Sequence, residues 1–296
     1  MKNLTPHTFH IPVMGLAYTI DTPIKVAKFG ITSVISIIED YLIEQMREVI
    51  CKNEHLEYVK IHTTERDYRA KRITAYLNLI QEIIDKQIEE IKREDFNTGK
   101  DIIQYFEMLP EDSEIKKLYF KMLASQTREK EKLQKQLRHL IIPGKIDVNI
   151  MTKLDKTNYD ADGNELPTQF SDALSALRGY ANSNVNSSII FSAGLNPRLF
   201  SYCETFEDFY PDLKGFISKK IILKVSDYRS ALIQGKYLAK KGLWISEFRI
   251  ESGINCGGHA FISNGIHLGP IWEDFKSKRN EFYNELLVEC ENEIKI

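Results

Sequence analysis

The sequence predicts an α/β fold in which parallel strands alternate with helices, and one long helical segment interrupts this alternation. Three observations lead to this fold class. A run of β-branched residues at 31–37 is typical of a buried parallel strand. A charged stretch at 64–140 is nearly free of glycine and has helical periodicity. After Pro143 and Gly144, short apolar runs again alternate with helical patterns, as expected for a parallel sheet.

The first 63 residues carry the signals of two strand–helix units. Residues 11–18 form a short apolar run that predicts the first strand. The Asp-Thr-Pro sequence at 21–23 begins a short helix, because proline is favoured in a first helical turn, and Gly30 ends it. The second strand, at 31–37, is followed by a helix predicted over 40–51.

Residues 64–141 predict a helical insertion after the second strand. Turn signals at 97–99 and 109–112 separate a first amphipathic helix from a second long helix predicted over 118–140. We interpret the insertion as a lid or an oligomerisation arm, since a heptad coiled coil normally requires a longer repeat. The apolar residues that recur every three or four positions in the first helix are Ile73, Leu77, Ile80, Ile84, Ile88 and Ile91.

The last part of the chain, residues 142–296, predicts four more strands and their helices. Strands are expected at 146–151, 188–194, 220–225 and 243–250. Helices are expected at 172–180, at 228–240 and from Ile271 onward. Six such strands fit either a doubly wound sheet or part of a (β/α)8 barrel, and periodicity does not separate these two folds.

Charge and cysteine content exclude several classes of protein. The formal net charge is −2 over 296 residues, so no overall field favours nucleic acid or a membrane surface. The four cysteines lie far apart without a CxxC pair, which predicts neither a zinc ribbon nor a disulfide framework and favours the cytoplasm. The N-terminus lacks the apolar core of a signal peptide, and the apolar stretches are too short to span a bilayer.

One motif near the C-terminus has a possible chemical role. The strand predicted at 243–250 leads toward Gly257, Gly258 and His259. Two residues without Cβ let the backbone approach a ligand closely, and an imidazole can transfer a proton near neutral pH. Because glycine pairs also mark ordinary turns, this motif does not define a site by itself.

Several segments together resemble the nitronate monooxygenase family. Residues 12–17 and 22–31 are similar to its Pro-Met-Ala-Gly opening, its Thr-Pro helix start and its glycine-led second strand. Residues 253–259 resemble its Gly-x-Glu-Ala/Ser-Gly-Gly-His signature, and residues 147–149 correspond to its Gly-Val-Asn. Flavin-dependent enoyl reductases share this scaffold. The resemblance implies a TIM barrel that binds flavin mononucleotide (FMN) at the C-terminal ends of its strands.

The resemblance also implies cofactor-binding roles for four residues outside the glycine–histidine motif. Met14 and Gly15 would present their backbone to the isoalloxazine ring of the flavin. Asn149 would hydrogen-bond the flavin or the substrate from the third strand. Lys224 would place a positive charge beside the pyrimidine edge of the flavin. A solvated lysine at the rim of the barrel is the other interpretation of Lys224.

For the glycine–histidine motif, the resemblance implies contact with the cofactor and acid or base catalysis. Gly257 and Gly258 would let the loop lie against the cofactor, and His259 would act as acid or base on a small carbon acid or an activated alkene. Asn255 and Cys256 depart from the family pattern, so the resemblance does not extend to the substrate. Six strands without a second glycine-rich phosphate loop leave the barrel incomplete. The chain is then a fragment or truncated reading frame, which we favour, or a partner completes the barrel, or further strands are not evident in the sequence.

Other interpretations of the sequence stay open. A barrel without a cofactor could act as a homo-oligomeric scaffold through its helical insertion, or the same rim could bind another phosphate-bearing ligand. Residues 158–163 resemble the start of a calcium loop, but the twelfth position is Gln169 rather than glutamate. Cys256 and His259 could form a nucleophile and base, although no third group is identified that would orient them.

Overall fold

The computed structural model describes residues 6–15, 19–37, 39–153, 155–160, 162–192, 194–251 and 268–293. Within these ranges the strands are β1 (His10–Ile11), β2 (Thr32–Ile37), β3 (Ile146–Met151), β4 (Ser188–Ser192), β5 (Lys220–Val225) and β6 (Ile245–Ile250). The α-helices are α1 (Thr22–Val26), α2 (Asp40–Asn53), α3 (Tyr68–Arg93), α4 (Asp101–Glu107), α5 (Glu114–Ala124), α6 (Thr127–Leu140), α7 (Asp172–Ala181), α8 (Pro197–Tyr202), α9 (Tyr228–Ala239) and α10 (Leu268–Glu293).

The strands of the sheet follow the order of the chain, β1-β2-β3-β4-β5-β6. The pairs β1–β2, β3–β4, β4–β5 and β5–β6 are all parallel. Parallel neighbours require a crossover connection, which the intervening helices supply. The predicted α/β fold with a parallel sheet is therefore confirmed. A doubly wound sheet requires a reversal in strand order, so that alternative is wrong for these strands.

The chain forms two compact units, and the first contains residues 1–35 and 76–147. The hydroxyl group of the buried Tyr76 donates a hydrogen bond to the carbonyl oxygen of Ile20 at 2.6 Å. The rings of Phe106 and Tyr119 stack with their centroids 5.3 Å apart. These aromatic side chains pack within a core that is mostly aliphatic, and the backbone satisfies the Tyr76 hydroxyl. The predicted division into residues 1–63, 64–141 and 142–296 stays a prediction.

The end of the helical segment is fixed by Gly144 before the chain enters β3. The Gly144 amide donates to the carbonyl oxygen of Ala27 at 2.8 Å, and the Ser33 amide donates to the carbonyl oxygen of Lys145 at 3.1 Å. A Cβ atom at Gly144 would lie 2.0 Å from the carbonyl oxygen of Ile31, which is backbone and cannot move aside. Only glycine therefore fits at this position.

Two predicted elements of the first unit are wrong in extent. The helix predicted over 118–140 is broken into α5 and α6. At the break Ser125 is extended, its hydroxyl donates to the carbonyl oxygen of Lys121 at 2.8 Å, and Thr127 has a positive φ of 44°. A serine hydroxyl bonded to the preceding turn competes with continuation of the helix.

The first strand is shorter than the run predicted at 11–18. In the structure β1 contains only His10 and Ile11, which pair with β2. Pro12 follows at once and has no N–H to donate to the next step of the ladder. Residues 16–18 lie outside the described part of the chain.

The amphipathic helix predicted in the insertion is confirmed as α3. It runs without a break for 26 residues. A continuous apolar stripe along a helix indicates that this side faces a protein core. The six residues of the predicted stripe are each at most 4% exposed: Ile73, Leu77, Ile80, Ile84, Ile88 and Ile91.

The second unit contains residues 36–75 and 148–296. Helix α9 packs against β5 and β6, and α10 packs against α9. The start of α3 lies against α7, where the Thr74 hydroxyl donates to the carbonyl oxygen of Gly179 at 2.9 Å. A Cβ atom at Gly179 would lie 2.7 Å from the side chain of Ile73. The two helices therefore approach closely because α7 has no side chain at this point.

Candidate functional site

One face of the strands in the second unit carries polar side chains. Met151 of β3 pairs with Ser192 of β4, and Lys224 of β5 pairs with Arg249 of β6. Because side chains alternate between the two faces of a strand, Asn149 lies on the same face as Met151. This face also carries the apolar Met151, Ile190 and Ile222. We call its polar members the polar strand face, and they are Ser36, Asn149, Ser192, Lys224, Glu247 and Arg249.

The opposite face of the same strands is apolar. Phe191 and Leu223, for example, pair across β4 and β5. Strands of a parallel sheet are usually hydrophobic on both faces. The polar strand face departs from this rule, which makes it the candidate site. The apolar residues on the other face are each at most 2% exposed: Val148, Ile150, Ile189, Phe191, Ile221, Leu223 and Val225.

Asn149 is the most informative residue of the polar strand face. It is 2% exposed, and its Nδ2 donates to the hydroxyl of Ser36 at 3.1 Å. Its Oδ1 atom is buried and accepts no hydrogen bond from the described residues. A buried amide oxygen without a donor is destabilising by about 1–3 kcal/mol. The arrangement therefore suits a ligand that donates a hydrogen bond at this point.

Lys224 is neither solvated nor isolated. Its side chain is 17% exposed, and its Nζ lies 2.5 Å from Oε1 of Glu251, just after β6. On β6, Nε of Arg249 donates to Oε1 of Glu247 at 2.6 Å. The interpretation of Lys224 as a solvated lysine is therefore wrong. The pairing also means that any positive charge offered to a ligand is shared with a carboxylate.

The structure brings Asn149 and Lys224 onto one surface. They lie two strands apart and two residues apart along the strand direction. With the usual spacings between strands and residues, their Cα atoms are separated by roughly 12 Å. A flat ligand of several fused rings could therefore contact both side chains at once.

Met14 and Gly15 belong to the first unit. The Met14 side chain is 71% exposed, and Gly15 has a φ of 143°, a conformation that glycine adopts readily. The carbonyl oxygen of Gly15 accepts hydrogen bonds from both the amide and the hydroxyl of Thr19, at 3.1 and 2.6 Å. Its backbone is thus already folded into a turn. Contact of these residues with a flavin stays a prediction.

The glycine–histidine motif lies outside the described residues. This applies to Gly257, Gly258 and His259, and to Asn255 and Cys256 before them. The last described residue before the motif is Glu251, the partner of Lys224. The acid or base role of His259 and the cofactor contacts of the two glycines therefore stay predictions.

Sequence reasoning missed a second polar region, which we call the arginine network: Asp40, Asp67, Arg69, Arg72, Asp172 and Arg178. Nη1 of Arg72 donates to Oδ2 of Asp40 at 2.7 Å. Nε of Arg69 lies 3.5 Å from a carboxylate oxygen of both Asp40 and Asp172. Nε of Arg178 donates to Oδ2 of Asp67 at 2.6 Å. The network thus joins the first turns of α2, α3 and α7.

Each carboxylate of the arginine network has a partner. Burial raises the pKa of Asp172, and the opposing effects of a hydrogen bond from Asn158 and the charge of Arg69 only limit this rise. Asp40 and Asp172 are the first residues of their helices, a position that the sequence does indicate. Their arginine partners come from a distant part of the chain and have no such signal.

The interpretation of residues 158–163 as a calcium loop is not supported by the geometry. The carboxylate of Asp160 accepts the backbone amides of Asp162 and Asn164 at 3.0 and 2.8 Å, which closes an ordinary turn. Nδ2 of Asn158 points to Oδ1 of Asp172 at 2.8 Å. In the described part of the chain, no three His, Cys, Asp or Glu side chains could hold a metal ion.

Comparison with known proteins does not identify a family. No family model, no curated protein and no solved structure matches the chain. The resemblance to nitronate monooxygenases therefore stays a prediction drawn from a few segments. Among the described helices, none is both long enough and apolar enough to cross a membrane.

Proposed function

We propose that this protein is an FMN-dependent oxidoreductase built on a partial TIM barrel, acting on a small carbon acid or an activated alkene. The observation that carries the proposal is the unpartnered Oδ1 of Asn149 on the polar strand face. A flavin has an N–H group on its pyrimidine ring that could satisfy this oxygen. Among the described residues of the polar strand face, this buried oxygen has no donor, and the cofactor fits it at that point.

The strand order supports the barrel. Six parallel strands follow one another without a reversal, as the strands of a (β/α)8 barrel do. In such barrels the reacting groups lie at the C-terminal ends of the strands. Ser192 and Lys224 occupy these ends in β4 and β5.

The side chains of the polar strand face would act by binding and orienting. Bound FMN would accept two electrons from a carbon acid or, once reduced, would donate two electrons to an activated alkene. Asn149 is held by Ser36, so its Oδ1 is fixed before a ligand arrives. Lys224 would stabilise negative charge at the ligand edge, and Glu251 keeps the lysine in position. His259 would remove or return the proton of the substrate carbon.

The first test is retention of flavin by the purified chain. We expect FMN added before desalting to stay with the protein, seen as absorbance between roughly 350 and 500 nm. Asn149→Leu should lose most of this absorbance. Ser277→Ala, on α10 and outside the polar strand face, should keep it. A colourless wild-type protein would contradict the proposal and favour the oligomeric scaffold, which light scattering would then detect.

The second test concerns turnover. His259→Ala should retain flavin while oxidation of an alkyl nitronate with dioxygen as the electron acceptor, or reduction of an α,β-unsaturated thioester with dithionite as the electron donor, falls by about two to four orders of magnitude. Unchanged turnover with either probe would remove the role of His259. Loss of flavin together with turnover would instead assign the histidine to cofactor binding.

A further inference from the structure

A cleft of about 470 Å³ lies beside the arginine network in the second unit. It is formed by the segment that leads into α3 and by the loop between β3 and α7. Its volume is within the range of small-molecule sites, roughly 300–1,000 Å³. Its lining includes Thr63, Thr64, Arg66, Tyr68, Tyr159 and Phe170.

Aromatic rings form the walls of the cleft. Tyr68 is held in place by two guanidinium groups, since those of Arg69 and Arg72 lie 4.6 and 5.0 Å from its ring centroid. The guanidinium of Arg178 lies 5.4 Å from the ring centroid of Phe170. Contacts of this kind fix a ring and its exposed edge in one orientation. Together with the exposed Tyr159, these rings offer a preformed surface for a flat apolar group.

The carboxylates that line the cleft are already partnered. Glu65 accepts from Nζ of Lys71 at 3.0 Å and from the amide of His62 at 3.1 Å. Asp67 is bound by Arg178 through both oxygens. Asp160 is occupied by the amides of its own turn. The charges of Glu65 and Asp67 are thus compensated by Lys71 and Arg178, whereas Asp160 keeps its negative charge, so an anionic group in the cleft is favoured at Arg66 and not beside Asp160.

Arg66 differs from the other arginines around the cleft. It lines the cleft and is exposed, and no carboxylate in the described part of the chain forms an ion pair with it. An arginine fork is suited to carboxylate and phosphate groups. The hydroxyl groups of Thr63 and Thr64 line the same wall and could add hydrogen bonds to such a group.

The backbone just before α3 has an uncommon conformation. Asp67 has a positive φ of 58°, and its carboxylate turns toward Arg178 instead of capping α3. The first turn of α3 carries no acidic residue. Tyr68 and Arg69, the first two residues of α3, line the cleft.

From these features we propose that the cleft binds a small aromatic anion. Its ring would lie against Tyr68, Tyr159 and Phe170, and its carboxylate or phosphate group would be bound by Arg66. The site lies apart from the polar strand face, and its occupancy does not depend on a flavin.

The test is calorimetric titration of the full chain with four probes. Two are aromatic anions, 3-phenylpropionate and phenyl phosphate. The other two each lack one feature: inorganic phosphate has no ring, and benzyl alcohol has no charge. We expect the aromatic anions to bind at least about tenfold more tightly than either partial probe. Absence of binding by both aromatic anions at millimolar concentration would overturn the proposal.

Variants locate the binding. Arg66→Gln and Tyr159→Ala should each weaken binding of the aromatic anions by about tenfold, and both side chains are exposed, so folding should be unaffected. Arg279→Gln, an exposed arginine on α10, is the matched control and should change nothing. Equal affinity in Arg66→Gln would overturn the site. Binding that persists in Asn149→Leu would separate this cleft from the proposed flavin site.

Discussion

The arginine network and the polar strand face are both polar regions of the second unit, but their polar atoms are satisfied to different degrees. Arg72 donates to Asp40 and, through two nitrogens, to the carbonyl oxygen of Ile61. On the polar strand face, one buried oxygen of Asn149 has no donor in the part of the chain that the structure describes. A region completed by the protein itself stabilises the fold, whereas an incomplete one is available to a ligand.

Glu44 on α2 belongs to a second buried cluster whose polar groups are satisfied by the protein itself. Burial alone would raise the pKa of Glu44, yet hydrogen bonds from Arg47, the Ile61 amide and Tyr58 together lower it. Burial and the bond to Glu44 raise the pKa of Tyr58 to about 12. Every group in this cluster is thus kept in one protonation state near neutral pH. Such a cluster stabilises the fold and offers no ionisable group that could exchange a proton near neutral pH.

The largest effect is expected from breaking the arginine network. Arg72→Met removes three hydrogen bonds and leaves Asp40, which is 8% exposed, without its closest cation. We expect the free energy of unfolding, measured with urea, to fall by about 3–5 kcal/mol. Arg66→Gln, which removes an exposed arginine, should change it by less than about 0.5 kcal/mol. A loss below about 1 kcal/mol for Arg72→Met would contradict the structural role of the network.

A somewhat smaller effect is expected at Lys219. This buried lysine donates to the carbonyl oxygens of Ser183 and Val185, both at 2.9 Å, and lies over the ring of Tyr180. Burial lowers its pKa. Lys219→Met would leave two buried carbonyl groups without donors, so we expect thermal or urea unfolding to show a loss of about 2–3 kcal/mol. Lys276→Met, at an exposed position on α10, is the control, and an equal loss there would refute the argument.

In the first unit, His7 has a hydrogen-bond partner on only one ring nitrogen, and its protonation should make the stability of the fold depend on pH. Nε2 of His7 bonds to the carbonyl oxygen of Phe29 at 3.1 Å, but the buried Nδ1 has no hydrogen-bond partner among the described residues. Burial lowers the pKa of His7 below its ordinary value of 6.5, although the bond to Phe29 opposes this. Below pH 6.5 the unfolded chain therefore binds more protons than the folded one.

The stability contributed by neutral His7 should be fully present above pH 6.5 and decrease as the pH falls. The slope is at most about 1.4 kcal/mol per pH unit. Urea unfolding at several pH values from about 5 to 7.5 would measure it. His7→Leu should flatten the dependence, while His139→Leu, at an exposed histidine of the same unit, should leave it unchanged. If the slope survives in His7→Leu, another group is responsible.

The smallest change in stability is expected at Asn149. Asn149→Leu loses one hydrogen bond to Ser36 but also removes a buried oxygen that has no donor, and these effects oppose each other. We expect the free energy of unfolding to change by less than about 1 kcal/mol. A loss as large as that of Arg72→Met would show that the polar strand face is structural and would remove the basis of the proposed site.

The hydrophobic pattern of the sequence predicted those helices and strands whose formation depends on burying one face. The spacing of Ile80 and Ile84 identifies α3, and the β-branched run at 31–37 identifies β2, because burial of one face imposes these periods. The position of Asn149 on the third strand was also available from the sequence. The break at Ser125 was missed because a serine hydroxyl can either cap a turn or face solvent.

Contacts between distant residues could not be predicted from these patterns. Arg178 and Asp67 lie 111 positions apart, and Arg72 and Asp40 lie 32 apart. No periodicity links such pairs, because their meeting depends on how the helices are placed after folding. The cleft was missed for the same reason, since its two walls come from segments about 100 residues apart in the chain.

Gly144 limits how this chain can change during evolution. Every codon change that replaces it adds at least a Cβ atom, and that atom would collide with the backbone of Ile31. A change in the sequence or length of the helices before it would be tolerated only where the chain still returned to β3 through this contact. When distant relatives are sought, a glycine directly before the third strand should therefore be a more durable marker of common descent than the sequence of the helical segment.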